Sequence, residues 1–178
     1  MNNPQYMSGT GNNFLVSEYE NTKTDIEIIS IVADSLLDID GVIFVEKIDS
    51  FTVKMHYYNN DGSSAELCVN GIRCVAKFAL DNSIVDSNEV TVVAPIGNVK
   101  TKVKEKIVSL EVSIPTYEED KLLIDGLECI KSNIGNPHLL VEVENVDKFD
   151  LEQFVRKVYE TKEFENGVNV EIFNMFDK

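Results

Sequence analysis

The chain has 178 residues, 43% of them apolar, which is enough to build a folded core as one ordinary domain or two small ones. Acidic residues outnumber basic ones 31 to 16, and the net charge of −15 argues against nucleic acid or an anionic membrane as a partner and reads as a solvated surface. No apolar run approaches the ~20 residues of a membrane-spanning helix, no secretory pattern opens the chain, and three cysteines at these spacings suit neither a disulfide framework nor a zinc site, so a cytoplasmic protein with reduced thiols is expected.

The predicted elements start with a turn-rich loop, Ser8-Gly9-Thr10-Gly11-Asn12-Asn13, and a short strand at Phe14, Leu15 and Val16. Thr24 and Glu27 form a capping box ahead of a helix carrying Ile28, Ile29, Val32, Leu36 and Leu37. Val42 to Val45 reads as a buried strand. Phe51, Val53, Met55 and Tyr57 then alternate with Thr52, Lys54, His56 and Tyr58, which leaves His56 on the solvated side, and Asn60-Asp61-Gly62-Ser63 makes the closing turn.

From Ile72 the period becomes helical. Ile72, Val75, Ala76, Ala79 and Leu80 form one face, and Cys74 and Phe78 extend it until mainly Arg73 and Lys77 remain polar, so the helix from Gly71 to Leu80 is expected to be buried. A β meander follows: Val90 to Ala94, a turn at Pro95 to Asn98, Val99 to Val103, and the alternating Leu110, Val112 and Ile114. Pro115 and the acidic Tyr117 to Asp120 mark the expected boundary, giving domains 1–115 and 116–178. Beyond it come a strand around His138 to Val143, a helix capped by Asp150 with Leu151, Phe154, Val155, Val158 and Tyr159 inward, and a last strand from Val168 to Phe173. The fold class expected is α+β with mostly antiparallel sheet.

The stretch from Asn59 to Cys74 puts Cys68 at a strand-to-helix junction. There a thiol feels the positive end of the helix dipole and the unpaired amides of the first turn, both of which favour the thiolate. A thiolate can serve as nucleophile, metal ligand or general base, and the same amides could hold an amino acid's α-carboxylate. Position alone also fits Cys68 as a small packed hydrophobe. That is the reading for Cys74 on the apolar helix, and Cys129 has no chemistry around it.

The segment Asn59 to Cys74 resembles the cysteine motif of diaminopimelate epimerases. Gly9-Thr10-Gly11-Asn12 resembles that family's N-terminal substrate loop, Gly135-Asn136-Pro137-His138 its central motif, and Val168-Asn169-Val170-Glu171 a third substrate segment, all in order along the chain. The resemblance implies a fold of two pseudo-equivalent halves, each wrapping strands around a buried central helix, with the second half incomplete in this chain. It implies an isomerase of lysine and cell-wall precursor synthesis that interconverts ll- and meso-diaminopimelate, with no cofactor and no metal, through two cysteines on opposite faces of the α-carbon. By the same resemblance Cys68 is one of the pair and His138 tunes it. Asn12, Asn59, Val69, Asn70, Asn136 and Asn169 then line the substrate. Neutral asparagines suit such a site because they bind carboxylate and ammonium groups without adding charge beside the thiolate.

The sequence departs from the pattern in four places. Val69 replaces a glycine, where a β-branched residue resists positive φ and crowds a carboxylate. Ser8 replaces a histidine and Asn13 an aspartate, which removes a charge partner from the N-terminal loop. The second cysteine motif does not occur before Lys178, so a fragment, an incomplete record of a longer protein or a shortened paralogue is expected. The alternative functions are an inactive amino-acid-binding relative or a racemase of another amino acid. The expected partner is a small amino-acid substrate, with a homodimer allowed.

Overall fold

The computed structural model describes residues 2–19, 27, 30–31, 38–63, 68–112, 114–165 and 167–175. The chain divides into two compact units, Met1–Glu111 and Val112–Lys178.

The first unit is a seven-stranded sheet in chain order: β1 (Asn2–Gly9), β2 (Asn12–Glu18), β3 (Gly41–Lys47), β4 (Thr52–Asn59), β5 (Glu89–Ala94), β6 (Gly97–Lys104) and β7 (Ile107–Leu110). β2–β3 and β4–β5 pair in parallel and the other neighbours antiparallel. A parallel pair needs a long crossover, and for β4–β5 that crossover is the helix α1 (Val69–Asp81). All seven strands pack against α1, so the sheet curls around it.

The period read from the sequence explains the burial. Gly71, Ile72, Cys74, Val75, Ala76, Phe78 and Ala79 are all buried, facing Phe14, Val16, Ile43, Val45, Val53 and Met55 on one side and Val90, Val92, Val99 and Val103 on the other. Each fully buried Ile, Val or Phe here is worth roughly 1.5–3 kcal/mol. The one buried hydroxyl on β6, Thr101, donates to the Val90 carbonyl at 2.7 Å, so it carries no unpaired polar atom into the core. Leu15, Ile39, Val42 and Phe44 form a separate buried cluster with Tyr19, Ile31 and Tyr58, which is why β2 and β3 read as continuous apolar runs: both of their faces are covered.

The second unit holds β8 (Thr116–Tyr117), β9 (Leu122–Ile124), β10 (Leu127–Asn133), β11 (Pro137–Glu142) and β12 (Asn169–Phe173). The sheet order is β12-β11-β10-β8, with β9 also on β10, and only β11–β12 is parallel. The helix α2 (Leu151–Glu160) is capped by Asp150, which accepts the Gln153 N–H at 3.0 Å, and lays Phe154 and Val158 on Cys129, Leu139 and Val141. The fold is α+β with mostly antiparallel pairing, as expected. No helix among the described residues is long and apolar enough to cross a membrane.

Several local expectations are corrected. Residues Asn2–Gly9 form a strand, where the sequence showed only the loop that follows. Phe51 stands outside β4 and is 54% exposed. The meander stops at Leu110, and Val112 and Ile114, which pair with no strand among the described residues, are exposed. On α2, Leu151 and Tyr159 are exposed, since its inward stripe is narrower than the sequence pattern implied. His56 is half-buried rather than solvated: its ring stacks on Tyr19 with centroids 4.1 Å apart, and Nε2 lies 2.7 Å from a Glu46 carboxylate oxygen. The predicted helix from Thr24 to Leu37 falls outside the described residues except for Glu27, Ser30 and Ile31, which are helical.

Candidate active site

Cys68 is the N-cap of α1. Its backbone is extended (φ −139°, ψ 92°), its carbonyl accepts the Ile72 N–H at 2.9 Å, and its Sγ accepts the Gly71 N–H at 3.2 Å. A sulfur thus occupies the place usually held by the oxygen of a Ser, Thr, Asp or Asn cap. Gly71 permits this: a Cβ there would stand 2.8 Å from the Met55 methyl, 3.1 Å from Ile43 Cδ1 and 3.2 Å from Cys68 Sγ.

The electrostatics differ from the expectation of a favoured thiolate. Burial pushes the Cys68 thiol up, the N–H groups of Gly71 and Asn70 pull it down, and the negative charge of Asp40 pushes it up again; the net direction is upward. First-turn amides that the sequence reading reserved for a substrate carboxylate are turned toward the sulfur. The phenol of Tyr57, raised to about 12 by burial and then by Cys68 and Asp40, stays neutral beside it.

Asn12 follows the tip of the β1–β2 hairpin, where Gly9 pairs with Asn12 and the two loop residues, Thr10 (φ 51°) and Gly11 (φ 96°), both take positive φ. That is the twist-matched hairpin turn, and it carries Asn12 to the N-terminus of α1. Asn70 Nδ2 donates to Asn12 Oδ1 at 2.9 Å, and Arg73 donates to Asn70 Oδ1 at 2.6 Å. Asn59, at the end of β4, donates to Ser63 Oγ at 3.0 Å within the turn that closes that strand. Val69 is the first residue of α1, half-buried and without positive φ, so it carries no left-handed strain and only its bulk remains at issue.

Asp40 brings a carboxylate to the backbone of the N-terminal loop. Its Oδ2 accepts the Asn13 N–H at 2.7 Å, and its own N–H donates to the Asn13 carbonyl at 2.8 Å. Asp40 and Tyr57 were not singled out from the sequence. Tyr57 had shown only as one member of an alternating strand, and nothing near residue 40 resembled a motif.

Asn136, His138 and Asn169 come together in the second unit. His138 Nε2 lies 3.0 Å from Asn136 Oδ1 and Nδ1 lies 3.4 Å from a Glu171 carboxylate oxygen. His138 faces Asn169 across the β11–β12 ladder, and Asn169 Nδ2 donates to the Pro137 carbonyl at 3.4 Å. Of the other cysteines, Cys74 is 3% exposed in the first core and Cys129 is 0% exposed in the second. A cavity of about 790 Å³ along β5, β6 and β7 contains none of these residues.

A family model described as diaminopimelate epimerase matches residues 5–114. The diaminopimelate epimerase of Thermotoga maritima is 33% identical over 172 residues, covering 94% of this chain and 69% of that protein. The diaminopimelate epimerase of Methanococcus maripaludis is 31% identical over 201 residues, covering 97% and 71%. Among solved structures, a phenazine biosynthesis protein of the PhzF family from Bacillus anthracis superposes with a TM-score of 0.65 at 17% identity, covering 97% of this chain and 67% of the other. At that identity the likeness concerns the fold.

Proposed function

The chain belongs to the diaminopimelate epimerase family of cofactor-independent isomerases, and from that premise we propose that it acts on the α-carbon of diaminopimelate with Cys68 as one base of a two-base proton transfer. The observation that carries the reading is Cys68 as the N-cap of α1, its Sγ held 3.2 Å from the Gly71 amide, on the helix turn that also carries the Asn70–Asn12 pair. The thiolate takes the α-proton. The electron pair left on carbon spreads into the α-carboxylate, whose growing charge is met by asparagine N–H donors already in position. Burial and then Asp40 favour the protonated sulfur, which gives its proton to the carbanion once the second base has taken the α-proton from the opposite face; the thiolate so left, steadied by the Gly71 and Asn70 amides, takes the α-proton in the reverse direction. The same reading gives Asn59 and the backbone at Val69 to the substrate; by the family resemblance Asn136 and Asn169 are assigned to substrate recognition and His138 to tuning the cysteine pair. The three free cysteines fit a reducing, cytoplasmic setting.

A second reading is an amino-acid-binding protein without turnover. It is favoured by the burial of both Cys74 and Cys129, which leaves Cys68 as the accessible thiol of the three.

The test is to incubate the chain with meso- and with ll-diaminopimelate in deuterium oxide and follow α-deuterium by mass spectrometry and inversion by chiral separation. Exchange with inversion shows a complete pair of bases, and exchange of one epimer without inversion shows Cys68 acting from its own face. Cys68→Ala is expected to slow either by about 10²-fold or more. Equal exchange in Cys68→Ala contradicts the reading, and thermal stabilisation by ligand without exchange supports the binding protein.

A further inference from the structure

We propose that Arg73 is a positioning residue that fixes the polarity of an amide relay, Arg73 to Asn70 to Asn12, so that both asparagines present N–H donors to the substrate's α-carboxylate. The inference rests on the function proposed above and concerns how its first unit selects an anionic group.

The argument starts from donor inventories. An asparagine amide has ends of equal shape, one donating and one accepting, and only its partners decide which faces which. Two asparagines joined only to each other could therefore sit in either sense. A guanidinium has donors and no acceptor and keeps its charge throughout the working pH range. Arg73 lies 2.6 Å from Asn70, so the Asn70 atom facing it must be the oxygen. The Nδ2 of Asn70 is then the end that reaches Asn12 at 2.9 Å, and the Asn12 atom that receives it must be an oxygen too. Asn12 Nδ2, with two N–H bonds, and the second N–H of Asn70 are left as donors.

One permanently charged, donor-only group thus sets the sense of two neutral amides. The need for such donors is specific to this site, because the Gly71 and Asn70 backbone amides are engaged with the sulfur. Arg73 stands on the flank of α1 beside Met7 to Thr10, and Lys77, one turn further along, is paired with Asp81. The relay spans 58 residues of sequence, and Gly9 holds the hairpin against the Asn70 backbone to keep it in register.

The test compares the full chain with Arg73→Met, which keeps the apolar stem, and Arg73→Lys, which keeps a donor-only group. Two readouts are used: the side-chain amide NMR signals of Asn12 and Asn70, and the affinity for meso-diaminopimelate by calorimetry. The relay predicts that Arg73→Met shifts the amide signals of both asparagines and weakens binding about tenfold, while Arg73→Lys stays close to the parent in both. If Arg73→Met does not fold, Arg73→Gln, which can either donate or accept, replaces it with the same expectation. Unchanged Asn12 signals, or a lysine variant no better than the methionine one, overturn the relay. Absence of binding in the parent chain contradicts the proposed substrate instead, and the amide signals then decide the relay on their own.

Discussion

Gly9 lies so close to Asn70 that a Cβ added to it would stand 2.7 Å from the Asn70 backbone oxygen and 3.0 Å from Cys74 Sγ. Backbone cannot yield as a side chain can, so the hairpin and the N-terminus of α1 meet only if residue 9 has no side chain. Gly9→Ala is expected to cost about 1–3 kcal/mol, a typical price of overpacking, and to loosen the Asn70–Asn12 hydrogen bond. Urea unfolding with an unchanged midpoint would contradict this contact.

Val69 begins α1 in an ordinary helical start, so exchanging it for glycine relieves no strain and only removes bulk from the site. Val69→Gly is expected to bind meso-diaminopimelate more tightly, by severalfold in calorimetry. It should also melt earlier, because glycine costs up to about 1 kcal/mol in a helix. Weaker binding would mean that the valine side chain contacts the ligand favourably.

Alkaline stability follows from a buried thiol and a half-buried phenol. Cys74 is raised from 9.0 to about 11, chiefly by burial and then by the neighbouring Cys68, and Tyr57 is raised from 10.0 to about 12. Both folded-state values exceed the unfolded ones, so above pH 9 the unfolded chain has released protons that the folded chain still holds. The Cys74 contribution is therefore complete below pH 9 and lost as pH rises through 11, and the Tyr57 contribution is complete below pH 10 and lost as pH rises through about 12. For Cys74 the loss amounts to roughly 2–3 kcal/mol. Denaturant titrations between pH 8 and 11 should show this decline, and Cys74→Ala should lessen it, leaving the part due to Tyr57 above pH 10.

The central helix was legible because its apolar period is uninterrupted from Ile72 to Leu80, and Cys68 was legible as its cap because a turn precedes it and the period changes just after. β1 was not, since Asn2–Gly9 is largely polar and owes its strand to pairing with β2 and to the helix beneath it. His56 was misjudged because alternation states which face a residue takes, and the Tyr19 ring that covers this face comes from another part of the chain. The destination of the first-turn amides was equally hidden. Whether they meet a ligand or the cap's own sulfur depends on a rotamer, and Asp40 enters only through the fold that brings its carboxylate to Asn13.

That Cys68 is the accessible thiol of a diaminopimelate site is tested most directly by alkylation with iodoacetamide at pH 8.5, followed by peptide mass spectrometry, with and without meso-diaminopimelate. The structure predicts modification at Cys68, with Cys74 and Cys129 spared by their burial, and protection of Cys68 by the ligand. Labelling of Cys68 that the ligand does not slow, or labelling of Cys74 or Cys129 in its place, would contradict the account.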